Sequence, residues 1–373
     1  MSLDASKSAD PAPQERVHVV RAAPASRERR RAVVNLRDNR AAWEFPRSAR
    51  DAITSAFPPD WEVVFVEAPV DGRGDGSGVS AEAIAAVAGA EIYFGLGAPR
   101  EIFLAATSTE PRALRWMHTG TAGVASLLYP ELVESDVILT NSAAVHAPAI
   151  AETVLAMILH FARGLDFAVR AQHEHRWDSS PFAERPGLVG EIGGSTIGIV
   201  GLGGIGLEVA RRAAALGMNV LATRRSGRPA PAGIDLLTGP NATDRLFATS
   251  DYVILAVPST PMTRGSIGAA RLAAMPAHAV LVNVSRGDII DEEALVAALR
   301  NGAIRGAALD VFAVEPLPAN SPLWGLPNVL VTPHVSATTP RFWTREMELI
   351  RDNIARYLAG RGLRNVVDRK RGY

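Results

Sequence analysis

Short apolar, β-branched runs alternate along this chain with stretches whose apolar residues recur at helical spacing. In the first part the pattern predicts strands at 32–36, 61–66, 91–94, 114–118 and 137–140, helices at 47–57 and 81–88, and a Gly/Asp loop at 71–78. Such alternation predicts a parallel sheet flanked by helices. A turn-rich passage, 141–149, then leads into a helix at 149–163 that is apolar around most of its circumference, as suits an element buried between two bodies. Beyond it the alternation resumes with strands at 195–200, 219–222, 252–257, 279–284, 307–311 and 329–331, and a helix at 207–216. The long helix 341–358 follows the last of these strands and is placed to carry the chain back to the first sheet. The expected organisation is a tail (1–30), a domain made of 31–141 plus 338–373, and a second domain, 142–337, inserted into it.

Composition narrows the chemistry by exclusion. The 39 basic and 39 acidic residues cancel, which removes the electrostatic case for a nucleic-acid partner. Cysteine is absent, so disulfides, thiolate metal sites and a cysteine nucleophile are excluded. Lysine occurs only at Lys7 and Lys370, which leaves a Schiff-base lysine, a P-loop lysine and a Tyr-x-x-x-Lys pair without a residue in any folded site. Glu152 and His160 interrupt the most apolar helix well short of the ~20 residues a membrane span needs. The first 30 residues have no apolar core of a secretion signal; a cytoplasmic location and a tail are expected, with 17–20 as the one run there able to add an edge strand. His173 and His175, two apart, fall on different helix faces, and no metal site is expected.

The most specific local signal is Gly201-Leu-Gly203-Gly204-Ile205-Gly206, set between a strand and a helix. Glycines at this spacing allow a tight turn, close approach of backbone N–H groups to a pyrophosphate, and close packing of the following helix, whose N-terminus favours the anion. The fold class is therefore α/β with two Rossmann-like or flavodoxin-like domains, the inserted one binding a dinucleotide. At the end of the next strand, where NAD-binding domains place a carboxylate against the ribose hydroxyls, the chain has Thr223-Arg224-Arg225-Ser226. Guanidiniums there would grip a 2′-phosphate, so NADP is the expected cofactor, with NAD as second choice.

Three polar residues follow successive strands of the same sheet: Arg286, Glu315 and His334. Ligands of open parallel sheets bind at the carboxyl ends of the strands, so the three should converge beside the cofactor. Hydride transfer to a keto acid needs a cation to hold the carboxylate and polarise the carbonyl, an acid to protonate the forming alkoxide, and a carboxylate that orients that acid. Arginine, histidine and glutamate fit those tasks in that order. Singly, each also reads as an ordinary turn residue, solvated loop charge or strand-end hydrogen bonder.

The run from Gly201 through Asn283-Val284-Ser285-Arg286-Gly287-Asp288, Asp310-Val-Phe312, Glu315-Pro-Leu317 and Thr332-Pro-His334 resembles the D-isomer-specific 2-hydroxyacid dehydrogenase family. The resemblance implies Arg286 as substrate anchor, His334 as acid/base, Glu315 as its partner, and the backbone at Ala122, Gly123 and Val124 as a second carboxylate cradle. It implies that Asp310 holds the nicotinamide carboxamide, that Val257 and Pro258 line the ribose, that Val284 joins the cofactor site, and that the protein is a homodimer. An arginine at the ribose-reading position is similar to what glyoxylate and hydroxypyruvate reductases carry, so the expected activity is reduction of a small 2-oxo acid to the D-2-hydroxy acid. The alternatives are a dehydrogenase for phosphite or larger D-2-hydroxy acids, and a non-catalytic NAD(P)-sensing protein. Two departures from the family pattern, Ala125 after Gly-Val and Thr153 after Glu152, leave the triad intact, and the first bears on substrate choice. His118 reads as a strand-end residue, with a place facing the substrate pocket as the alternative, His146 and Glu152 as hinge residues, and Trp324 as a packing residue, with lining the pocket or reaching across a dimer as its alternatives.

Overall fold

The computed structural model describes residues 29–70, 79–109, 112–185, 187–370 and 372. The predicted loop 71–78 and nearly all of the predicted tail, with its run 17–20, lie outside the described residues.

The first sheet contains β1 (Arg30–Asn35), β2 (Trp61–Phe65), β3 (Ile92–Gly95), β4 (Trp116–Thr119) and β5 (Ile138–Asn141), all parallel, in the order β2-β1-β3-β4-β5. Helices α1 (Arg47–Ala56), α2 (Ala81–Val87), α3 (Arg100–Ala106) and α4 (Pro130–Glu134) connect these strands. Strand alternation explains the two cores: Ala32 and Val34 face α1, whereas Val33 between them faces α2 and α3.

The chain then runs through α5 (Ala147–Ala162), α6 (Leu165–His173) and α7 (Ser180–Glu184) into a second parallel sheet. Its strands are β6 (Thr196–Val200), β7 (Asn219–Thr223), β8 (Asp235–Leu237), β9 (Tyr252–Leu255), β10 (Val280–Asn283), β11 (Gly306–Leu309) and β12 (Val329–Val331), in the order β12-β11-β10-β9-β6-β7-β8. The three-residue edge strand β8 has too little alternation to be read from sequence. Helices α8 (Gly204–Ala215), α9 (Ala242–Thr249), α10 (Ala269–Ala274) and α11 (Glu292–Arg300) lie between the strands. The helix expected to start at residue 207 starts at Gly204, because the motif glycines themselves take up helical geometry. The apolar helix α5 packs its Val154, Met157 and Ile158 into the core beneath β6 and α8.

Finally α12 (Phe342–Leu358) returns to the first sheet, where Met347, Ile350, Ile354 and Tyr357 are buried with Trp61, Trp116 and Ile53. At roughly 2 kcal/mol for each such side chain, this face fixes the returning helix firmly to the first body.

Candidate active site

The site is assembled at the carboxyl ends of the second sheet, around the point where strand order reverses between β6 and its neighbours β7 and β9. Each motif glycine there has a distinct reason to lack a side chain. Gly201, just after β6, adopts φ = 100°; a Cβ on Gly206 would collide with the Gly201 carbonyl; Gly203 faces open space. The amides of Gly201 and Leu202 donate to the Thr223 carbonyl, which seats the turn on β7. Those of Gly203, Gly204, Ile205 and Gly206 have no acceptor among the described residues. Free donors, open space and a helix N-terminus together fit the pyrophosphate of a dinucleotide. Ile205 is half-buried against the core below, and Val257, half-buried beside Pro258, would touch any side chain placed on Gly201.

Three expectations for cofactor residues need correction. Arg224 does not present an open fork: its Nε donates to the Leu202 carbonyl at 2.9 Å, and its Nη1 reaches the carbonyls of Arg228 and Pro229. It braces the glycine turn through the Leu202 carbonyl. Arg225 and Ser226 are the exposed members of that segment, with Arg225 Nη1 3.9 Å from the Met262 sulfur. Val284 is buried in the sheet core, so its side chain does not line the groove. Asp310 is also fully buried, with its carboxylate oxygens taken by the Thr332 hydroxyl (2.6 Å) and the Val335 (2.9 Å) and Ser336 (3.1 Å) amides. It clamps the loop after β12 and turns no oxygen toward solvent.

That clamp holds His334, whose φ of 54° lies in the left-handed region where a non-glycine residue needs support from its surroundings. His334 Nδ1 lies 2.7 Å from Glu315 Oε2, and Glu315 Oε1 accepts the Phe312 amide at 2.9 Å. The carboxylate is thus anchored to the end of β11 and orients the ring, leaving Nε2 as the nitrogen able to meet a substrate. Both side chains are partly open to solvent, as groups that meet a ligand must be.

Arg286 is presented by the turn after β10. Asn283 Oδ1 accepts from the Ser285 amide and hydroxyl, and Asn283 Nδ2 donates to the Arg286 carbonyl. The next residue must be Gly287, since a Cβ there would overlap the Phe312 carbonyl. The Arg286 guanidinium crosses to the first domain and lies so close to Gly123 that a methyl on Gly123 would displace it. Around Gly123, the amides of Ala122, Gly123 and Val124 have no acceptor among the described residues, while the Val124 side chain is buried in the first core. A guanidinium beside a loop whose amides have no protein acceptor is suited to binding a carboxylate.

The remaining candidates take other places. His118 lies within β4, fully buried, rather than at a strand end. Trp324 is half-exposed, not packed, and its Nε1 donates to the Pro318 carbonyl at 3.0 Å. Among the described residues, no group of three His, Asp or Glu is placed to hold a metal. No helix of the described residues is long and apolar enough to cross a membrane.

His146 opens the crossing between the domains, with its ring stacked on Phe342 (centroids 5.1 Å, 13°) and Nδ1 3.3 Å from the Ala337 carbonyl on the other crossing segment. Burial lowers its pKa below the ordinary 6.5. The unfolded chain therefore binds this proton more readily. The stabilisation is complete above pH 6.5 and is lost as the pH falls through it toward the folded-state value. Urea unfolding of wild type and His146→Gln is expected to show a steeper loss of stability between about pH 7.5 and 5.5 in wild type. Equal slopes would remove His146 from the linkage.

Comparison with known proteins gives this architecture its relatives. The model of the D-isomer specific 2-hydroxyacid dehydrogenase NAD binding domain matches residues 155–336. A solved D-isomer specific 2-hydroxyacid dehydrogenase from Xanthobacter autotrophicus, in complex with NADPH and MES, is 32% identical, with 92% of this chain and 99% of that one covered at a TM-score of 0.70. The chain belongs to the D-isomer specific 2-hydroxyacid dehydrogenase family. Within it, the NADPH-dependent glyoxylate/hydroxypyruvate reductase of Sinorhizobium meliloti, in complex with NADP and sulfate, is 28% identical and covers 92% of this chain and 100% of its own at a TM-score of 0.71. The D-3-phosphoglycerate dehydrogenase of Methanocaldococcus jannaschii is 35% identical over 249 residues, 66% of this chain. The chain spans less than half the length of that relative, the match covering 46% of it.

Proposed function

We propose that this member of the family is a reductase of small 2-oxo acids, of the glyoxylate and hydroxypyruvate type, that prefers NADP(H) and yields the D-2-hydroxy acid. The observation that carries the reading is the Arg286 guanidinium held against Gly123 of the first domain, with the His334–Glu315 pair presented from the ends of the neighbouring strands β11 and β12 of the same sheet. Arg286 and the free amides of Ala122, Gly123 and Val124 would hold the substrate carboxylate from two sides. Bound at the glycine turn, a nicotinamide dinucleotide would supply the hydride. The chain's own work is then electrostatic and protonic: Arg286 polarises the carbonyl, and His334 donates a proton from Nε2 to the oxygen as negative charge develops there. Glu315 keeps the ring in place.

Two features support NADP(H). No carboxylate follows β7 to repel a 2′-phosphate, and Arg225 and Ser226 lie exposed where one would arrive. The names of two solved relatives, each holding NADPH or NADP, agree with this. Since Arg224 is engaged with the turn, Arg225 is the residue to vary. Steady-state rates with both cofactors should give a kcat/KM ratio for NADPH over NADH above about ten, and Arg225→Asp should bring it below one. A wild-type ratio near one would refute the preference. The substrate panel is glyoxylate, hydroxypyruvate, pyruvate and, in the oxidative direction, D-3-phosphoglycerate. Turnover confined to the last would overturn the substrate assignment, and no NADPH oxidation with any 2-oxo acid would overturn the enzymatic reading.

A further inference from the structure

Beneath the loop that would receive the substrate carboxylate lie four polar side chains with no part in the chemistry above: His118, Thr140, Ser142 and Glu346, each wholly excluded from solvent. They form one bonded series. The Trp116 indole, a donor only, bonds Thr140 Oγ1 at 2.8 Å, and the Thr140 hydroxyl is also bonded to His118 Nδ1 at 2.9 Å. Nε2 of His118 donates to Glu346 Oε1, a carboxylate oxygen that accepts, at 2.8 Å. The same oxygen is 2.9 Å from the Ser142 hydroxyl, whose proton it shares with the Thr119 carbonyl 3.0 Å away.

This chain of bonds ends on the loop itself. The Ser142 amide donates to the Thr121 carbonyl (3.1 Å), Asn141 Nδ2 to the Ala122 carbonyl (2.8 Å) and the Thr121 hydroxyl to the Gly123 carbonyl (3.0 Å). With the carbonyls of 119, 121, 122 and 123 tied down, the amides of Ala122 to Val124 are left free beside Arg286. Glu346 is the far end of the tether and stands on α12, after the second domain has been traversed. Its other oxygen, Oε2, is buried without a partner among the described residues. An apolar residue on this face of α12 would avoid that cost, which argues for a task beyond stability.

We propose that Glu346, acting through His118 and Ser142, is a positioning residue that sets the carboxylate-receiving geometry of the 119–124 loop. The inference rests on the reading of this cleft as a 2-oxo acid site. It makes the returning helix, and not only the loop's own sequence, a determinant of substrate affinity.

The test uses the full chain with three variants: Ser142→Ala, Glu346→Ala and Glu346→Gln, the last keeping a carbonyl oxygen able to accept from His118 and Ser142. Ser142→Ala and Glu346→Ala are expected to raise KM for the 2-oxo acid about tenfold, with kcat within about twofold and NADPH affinity unchanged, while Glu346→Gln stays near wild type. Calorimetric binding of oxalate to the NADP complex should weaken in step, and hydrogen exchange at the Gly120 and Ser142 amides should quicken. If Glu346→Ala does not fold, Ser142→Ala carries the test alone. Folded variants with wild-type KM, oxalate affinity and exchange would overturn the proposal, whatever their melting temperatures. Failure of the underlying reading has another signature: wild type itself would neither bind oxalate nor turn over a 2-oxo acid. Unchanged exchange in Ser142→Ala would still count against the tether in that case.

Discussion

Replacing His334 by alanine should lower kcat with the 2-oxo acid about a thousandfold, within the range usual for loss of a general acid. Calorimetric NADPH affinity should be unchanged, because no bond of the glycine turn depends on the ring. The geometry assigns the loss to chemistry. Glu315 receives the Phe312 amide on one oxygen and faces His334 Nδ1 with the other, so the imidazole is fixed from behind and only Nε2 remains for the substrate. Glu315→Gln keeps the size and part of the hydrogen bonding but replaces the carboxylate that orients the ring, and a smaller loss, about ten- to a hundredfold in kcat, follows. Near-normal turnover in His334→Ala would make the acid/base assignment wrong, and an equal loss of NADPH affinity would mark a collapsed loop rather than a missing acid.

How much of this site could be read beforehand depends on the distance over which each contact is written. The strands were legible because burial on both faces of a parallel sheet makes each a short apolar run, as at Ala32, Val33 and Val34, and the glycine turn because its glycines fall within six residues between a strand and a helix. Arg286, Glu315 and His334 were legible for a topological reason: in a parallel sheet, residues that follow neighbouring strands share one edge. The use made of Arg224 was not. Nothing local says that the Leu202 carbonyl would lack a partner and take the guanidinium. Asp310 likewise sits where a cofactor contact is expected, but the Thr332 hydroxyl and the Val335 and Ser336 amides, on either side of the strained His334, claim it. The tether from Glu346 to His118 joins residues 228 apart, beyond any spacing argument. A signal existed all the same: in α12, Glu346 and Asn353 occupy the stripe shared by Phe342, Leu349 and Ile350, and a carboxylate on the apolar face of an amphipathic helix asks for a buried partner.

Arg286→Ala should be nearly as damaging as loss of His334, by a different route. A guanidinium that both holds the carboxylate and polarises the carbonyl acts in the ground state and the transition state, so KM should rise and kcat fall together. A combined loss in kcat/KM of about a thousandfold corresponds to ~4 kcal/mol. Arg286→Lys should recover little of this, since an ammonium lacks the planar fork. The packing supplies a second and more discriminating variant. Because the guanidinium occupies the space a Cβ on Gly123 would need, Gly123→Ala must push it off the loop without altering its charge. That variant should raise KM by about tenfold or more with NADPH affinity intact. If Arg286→Ala weakens the 2-oxo acid and Gly123→Ala does not, the arginine binds substrate from a position other than the one seen against Gly123. If neither weakens it, the carboxylate is held elsewhere, and Arg286 is a turn residue whose guanidinium serves only its own turn, through the Ser285 carbonyl.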